Sequence, residues 1–358
     1  MFSLILRRRF KSLLFLAVST VLIVVLLSIP KSSHTAVTSL RSLAQNRGIV
    51  IGAAVAINAL RNEPVYREVL AREFSSLTPE NVMKFRFLHP ERDRYDFTDA
   101  DTLVTFAEDN NMKVRGHTLV WHIELPKWLT EGKFTRQQLL QILRDHIYTV
   151  VGHYRGKVFA WDVVNEGIGD NNALRDTIWL RGIGPEYIDL AFRWAHEADP
   201  KARLFYNNYG GEGLGAKSDA IYNLVRGMVQ RGVPIHGVGL QMHVGLNNAP
   251  PPADVAANIQ RLAALGLDVH ITEMDVQIQN GTGTESERFA AQAKIYRDML
   301  GVCLSKRNCK AFVLWGFTDK HSWIPQFTKK PDAALIFDNF YRPKPAYNAL
   351  REVLRQRR

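Results

Sequence analysis

Short apolar, β-branched runs alternate with amphipathic helical patterns along most of the chain. The runs are Ile49–Ala56, Ser76–Thr78 continuing to Val82, Lys113–Val120, Val158–Val164, Ala202–Tyr206, Gly237–Met242, Asp268–Met274 and Ala311–Phe317. Their starts lie roughly 30–45 residues apart. Helical patterns fill most of the gaps, at Thr135–Tyr154, Pro185–Ala198, Lys217–Arg231, Ala253–Leu265 and Glu285–Leu304. Strand-helix alternation implies parallel strands joined by crossover helices. Eight repeats predict an α/β chain folded as a (β/α)8 TIM barrel. A doubly wound open sheet is the alternative, but no Gly-rich dinucleotide fingerprint follows the first strand.

The 358 residues are 46% hydrophobic and 23% charged, an ordinary globular composition that excludes a disordered, collagenous or disulfide-scaffold protein. The net charge is +11, and Arg7, Arg8, Arg9, Lys11 and Lys31 supply nearly half of it within residues 1–36. Outside the termini no basic stripe marks a nucleic-acid surface. After the basic start, Leu13–Ile29 is an apolar run interrupted only by Ser19, Thr20 and Ser28. As a helix it would reach about 25 Å at ~1.5 Å per residue, against ~30 Å for a bilayer core. Residues 1–36 are therefore expected to be a signal peptide or signal anchor with its linker, able to attach the chain to a membrane through residues 13–29. Residues 37–358 are expected to form one catalytic domain outside the cytoplasm. There, Cys303 and Cys309 are expected to bridge a short loop before the last strand; two buried free thiols are the alternative.

In a barrel, chemistry sits at the C-terminal ends of the strands. Those ends carry Glu80 and Asn81, His117 and Trp121, Asn165 and Glu166, Asn207 and Tyr209, Gln241 and His243, Glu273 and Asp275, and Trp315. Glu166 and Glu273 each end an apolar strand. Two carboxylates facing across a cleft suit glycoside hydrolysis, one protonating the leaving oxygen and the other attacking the anomeric carbon. Trp121, Trp128, Trp315 and Trp323 offer faces for sugar rings, although Trp128 has the alternative of packing a loop. His117, Gln241, Asn81 and Lys84 offer hydrogen bonds to hydroxyls. No metal is expected, since no HExxH or other zinc spacing occurs, and no cofactor is implied. The stretch Gly210–Ser218 falls short of a phosphate loop because Ala216 separates Gly215 from Lys217.

Five motifs together carry a specific resemblance. They are Leu77-Thr78-Pro79-Glu80-Asn81, Arg115 through His122, Trp161 through Glu166, Ile271 through Asp275, and Trp315 through Lys320 with Ser322-Trp323. From about Gly48 to Leu354 the chain resembles glycoside hydrolase family 10, the retaining endo-β-1,4-xylanases. The resemblance implies hydrolysis of internal xylan bonds through a covalent glycosyl-enzyme, with xylan and xylo-oligosaccharides as partners and a monomeric enzyme. It implies Glu166 as acid/base, Glu273 as nucleophile, and support from Asn165, His243 and Asp275. Glu80, Asn81, Lys84, His117, Trp121 and Gln241 would form the glycone side, Trp315 and Trp323 the walls near the bond, and Asn207, Tyr209 and Glu124 further substrate contacts. Phe85, Glu124 and Asn208 depart from the family pattern of Trp, Gln and Asp. The departure at Glu124 carries an expectation of its own, that it pairs with Lys84 and costs the sugar a donor; the alternative is that it points to solvent.

Overall fold

The computed structural model describes residues 38–356; the expected export segment, residues 1–36, lies outside them. Nine strands occur among the described residues: β1 (Val50–Val55), β2 (Ser76–Pro79), β3 (Lys113–Val120), β4 (Val158–Asn165), β5 (Arg203–Asn208), β6 (Gly237–Leu240), β7 (His243–Gly245), β8 (Asp268–Gln277) and β9 (Cys309–Leu314). Eight of them pair in parallel in the order β6-β5-β4-β3-β2-β1-β9-β8, and β6 pairs with β8 to close the ring. This is the expected (β/α)8 barrel. The short β7 is additional. It lies beside the end of β8, pairing His243 with Asp275, and explains why β8 runs on past Met274.

The strands are apolar on both faces because one face fills the barrel and the other meets the helices. Val158, Ala160, Trp161, Val163 and Val164 of β4 and Val269, Ile271, Met274 and Val276 of β8 are all buried. Helix starts are specified locally. Thr135 with Gln138 and Thr284 with Glu287 form reciprocal capping boxes at helices Arg136–His153 and Glu285–Ser305. Two glycines admit large neighbours. A Cβ on Gly116 would sit 2.2 Å from the Trp161 ring, and one on Gly239 only 2.0 Å from Asn207 Oδ1. Gly239 thus makes room for a side chain that the cleft uses.

The barrel interior also holds charge. Arg115 on β3 donates two hydrogen bonds to Asp162 on β4, one of them at 2.5 Å. The two side chains are 1% and 0% exposed. At the opposite end of the barrel from the Glu-bearing strand ends, Cys303 and Cys309 are bonded, with a Cα–Cα distance of 5.2 Å. The bond ties the end of helix Glu285–Ser305 to the first residue of β9. None of the described helices is long and apolar enough to cross a membrane.

Candidate active site

The strand ends open into a cleft of about 1080 Å³, whose lining includes Lys84, His117, Trp121, Asn165, Glu166, Tyr209, Gln241, His243, Glu273, Trp315 and Trp323. Eight strands deliver these groups to one face because parallel strands all end on the same side.

Glu166 directly follows β4 and Glu273 lies within β8. Amide side chains link their carboxylates. Asn207 Nδ2 donates to Glu273 Oε1 at 2.6 Å and to Asn165 Oδ1 at 2.9 Å. Gln241 Nε2 donates to the same Asn165 oxygen at 3.1 Å and to Glu166 Oε1 at 3.2 Å. The amides hold the two acids at fixed positions without contributing charge.

The environment of Glu273 favours its ionised form. His243 Nε2 donates to its Oε2 at 3.1 Å, and His243 Nδ1 donates to Asp275 Oδ2 at 2.8 Å. Burial disfavours the imidazolium of His243, but Asp275 and Glu273 outweigh it and raise its pKa to about 10. Burial pushes Glu273 upward, while the His243 hydrogen bond and the nearby imidazoles bring it below the ordinary carboxylate value. Asp275 itself is buried and takes a second hydrogen bond from Trp323 Nε1 at 2.8 Å. That bond fixes the Trp323 ring, which stands 5.0 Å from His243 at 62°. Trp315 meets His117 edge-on at 5.1 Å. His117 is oriented in turn by Asp162, 2.9 Å from its Nδ1.

On the other side, Lys84 Nζ donates to Asn81 Oδ1 at 2.7 Å and lies 5.0 Å from the centre of the Trp121 ring. Burial lowers the Lys84 pKa, and Glu273 and Glu80 act against that shift. Glu80 and Asn81 are half-buried beside it; burial raises Glu80 while Lys84 lowers it.

Two expectations need correction. Asn207 is not at the cleft surface: it is 0% exposed, its amide spent on Glu273 and Asn165. It positions the acids rather than meeting a sugar. Glu124 pairs with Arg86, Nη2 to Oε2 at 2.7 Å, and not with Lys84. Their loops meet through a backbone bond as well, Arg86 N–H to Glu124 O at 2.8 Å. Phe85 turns away from the cleft and stacks on His146 at 3.7 Å, so the missing Trp there removes no sugar platform. Trp128 takes its packing alternative, donating to His89 O at 3.2 Å. Asn208 is buried, accepting from Tyr206 OH and donating to Tyr209 O, both at 2.8 Å.

The corrected partner of Glu124 changes what its removal does. Glu124→Gln is expected to leave xylotriose affinity unchanged, because Lys84 keeps its bond to Asn81. The lost partner is an ion pair whose Arg86 is half exposed, with about 0–1 kcal/mol of stability at stake. Calorimetry of xylotriose binding together with a thermal melt checks both parts.

Several residues in or beside the cleft have no role assigned from the sequence alone. His122 Nδ1 lies 3.9 Å from Glu166 Oε2. Burial and the Arg175 charge lower its pKa to about 4, so it is neutral near neutral pH. Arg175 Nη2 donates to Tyr209 OH at 3.0 Å. Lys217, from the stretch that falls short of a phosphate loop, lies 3.4 Å from the centre of the Tyr209 ring and 2.8 Å from Asp170. His117, Asp162 and Glu273 bring possible metal-ligating atoms within 4.8 Å of one another. Arg115 already occupies the Asp162 carboxylate, so the cluster reads as an ion-pair network.

The family model for glycosyl hydrolase family 10 matches residues 39–353. Endo-1,4-beta-xylanase B of Thermotoga neapolitana is 47% identical over 323 residues, covering 89% of this chain and 92% of that one. Exoglucanase XynX of Acetivibrio thermocellus is 38% identical over 313 residues, covering 84% of this chain and 28% of its own length. The crystal structure of xylanase 10B from Thermotoga petrophila in complex with xylobiose superposes with a TM-score of 0.86 at 48% identity. The match covers 88% of this chain and 97% of that one.

Proposed function

Because this chain belongs to glycosyl hydrolase family 10, we propose that it is an endo-1,4-β-xylanase that cleaves internal bonds of xylan with retention of anomeric configuration. The observation that carries the reading is the pairing of Glu166 and Glu273 in unlike settings. Glu273 is bonded to an imidazolium and an amide, and Glu166 to amides alone. One acid is thereby held as a carboxylate, while among the described residues no cation is hydrogen-bonded to the carboxyl of the other.

In this mechanism Glu273 attacks the anomeric carbon and the C–O bond to the leaving sugar breaks. Glu166 gives its proton to the departing oxygen. Water then attacks the glycosyl-enzyme, Glu166 takes the water's proton, and Glu273 leaves as a carboxylate. His243 and Asp275 keep the Glu273 oxygens oriented between the two steps. Asn165 Oδ1 is occupied by two amide donors and one N–H of its Nδ2 faces Glu166 Oε1 at 3.5 Å, which leaves the second N–H for the 2-hydroxyl of the sugar under attack. Lys84, Asn81, Glu80, His117, Trp121 and Gln241 bind the glycone side, and Trp315 and Trp323 wall the reacting sugar. Tyr209 lies on the aglycone side. Export is part of the same proposal, supported by the basic and then apolar start of the chain and by the Cys303–Cys309 bond.

The exoglucanase relative favours a second reading, action on a β-1,4-glucan. Initial rates on xylan and carboxymethylcellulose, with NMR of the first product, separate the two. Faster cleavage of xylan and a β-configured first product are expected. Faster cleavage of the glucan would reject the substrate, and an α-configured first product would reject retention.

A further inference from the structure

Glu166 is a non-glycine residue in the left-handed region, with φ of 58°. A side chain there is disfavoured unless its surroundings hold the backbone in place. Both of its peptide groups are held. Its N–H donates to Asn207 O at 2.8 Å, and its C=O accepts from Arg175 Nε at 2.9 Å.

The second restraint is built by the loop that follows β4. Gly169 N–H donates to Ala173 O at 2.8 Å, Arg175 N–H donates to Gly167 O at 2.7 Å, and Ile168 pairs antiparallel with Leu174. The loop is thus a miniature hairpin that returns Arg175 to the residue it left. Tyr206 OH pins it to the barrel wall by accepting from Ile168 N–H at 2.8 Å. The outer end of the guanidinium is also fixed. Nη2 donates to Tyr209 OH at 3.0 Å, that hydroxyl donates to Asp170 at 2.7 Å, and Asp170 pairs with Lys217 at 2.8 Å.

We propose that Arg175 is a positioning residue for Glu166: it clamps the left-handed backbone that aims the proton donor and ties that clamp to the Tyr209 wall of the cleft. The inference rests on the reading of Glu166 as the acid. Arg175 also faces His122, whose lowered pKa keeps a second proton carrier neutral beside Glu166. Lysine cannot substitute fully, because a single ammonium does not span Glu166 O and Tyr209 OH as the planar fork does.

The test is kcat/KM across aryl xylobiosides of increasing leaving-group pKa, for Arg175→Ala, Arg175→Lys and Glu166→Ala. A misaimed acid hurts only leaving groups that need a proton. Arg175→Ala is expected to lose on the order of 10²-fold on the poorest leaving group. It should stay within about threefold of the parent on the best one, where protonation contributes little. Arg175→Lys should fall between, and it carries the test if the alanine variant does not fold. An equal loss across the series would make Arg175 merely structural, and unchanged rates would remove it from the site. Both outcomes overturn the inference. A flat series for Glu166→Ala would instead overturn the assignment of the acid. A graded series for Glu166→Ala beside a flat one for Arg175→Ala would sink the clamp alone.

Discussion

Glu273→Ala is expected to abolish turnover of xylan and of an activated aryl xylobioside alike, with a loss on the order of 10⁴–10⁶ in kcat. A good leaving group rescues a missing acid, but it cannot replace a missing nucleophile. The variant should still fold, since His243 keeps its bond to Asp275 when Glu273 is gone. A melt close to that of the parent would show that the loss is chemical. The same geometry fixes the sign of a pH effect. His243 supplies Glu273 with a hydrogen bond and a positive charge, both favouring the carboxylate against burial. Removing the imidazole in His243→Ala leaves the burial and takes away that support. The Glu273 pKa then rises, and the acidic limb of kcat/KM moves to higher pH. A variant whose acidic limb stays in place would mean that His243 does not govern the ionisation of Glu273. Substantial turnover of the activated substrate by Glu273→Ala would remove Glu273 from the nucleophile's role.

The strands and the paired glutamates are legible in the sequence for the same reason. A strand buried on both faces is mostly apolar, so Glu166 and Glu273 stand out as charges at the ends of Val163-Val164-Asn165 and Ile271-Thr272. The ring of polar strand ends follows from the parallel topology. What escapes is decided by contacts between loops. Glu124 has two basic residues within reach in sequence terms, Lys84 and Arg86. Backbone pairing between their loops brings Arg86 to it, whereas Asn81, only three residues away, takes Lys84. Phe85 follows Lys84 directly, yet the helical turn Phe85–Leu88 points it into the aromatic cluster around His146. Arg175 lies in a loop of Gly, Asn and Asp with no periodicity, and only the hairpin closure reveals why it returns to Glu166. The short β7 is hidden because Met242, at φ 67°, breaks the run that ends β6.

Asp162→Ala is expected to destabilise the barrel by about 3–5 kcal/mol, the cost of leaving a buried charge without its partner. Asp162 takes two hydrogen bonds from Arg115 and one from His117. With the carboxylate gone, the guanidinium of a 1% exposed arginine loses the acid it pairs with among the described residues. Burial raises the Asp162 pKa, but Arg115 and His117 overcome it and hold the acid below its ordinary value. The pair's contribution is therefore complete above the unfolded value of about 3.9 and fades as pH falls through the lowered folded value. A double replacement, Arg115→Met with Asp162→Leu, removes both charges and fills the space with apolar atoms. It should recover most of the lost stability, because a buried ion pair offsets much of its own attraction by desolvation. It should not recover activity. His117 would still lack the acceptor at Nδ1 that orients its ring toward Trp315 and the cleft. Denaturant melts and kcat/KM on xylan, measured on the parent, the single and the double variant, separate the two effects. A single variant within about 1 kcal/mol of the parent would show that Arg115 finds another partner. Full activity in the double variant would show that His117 needs no carboxylate behind it, and that the ion pair serves the barrel alone.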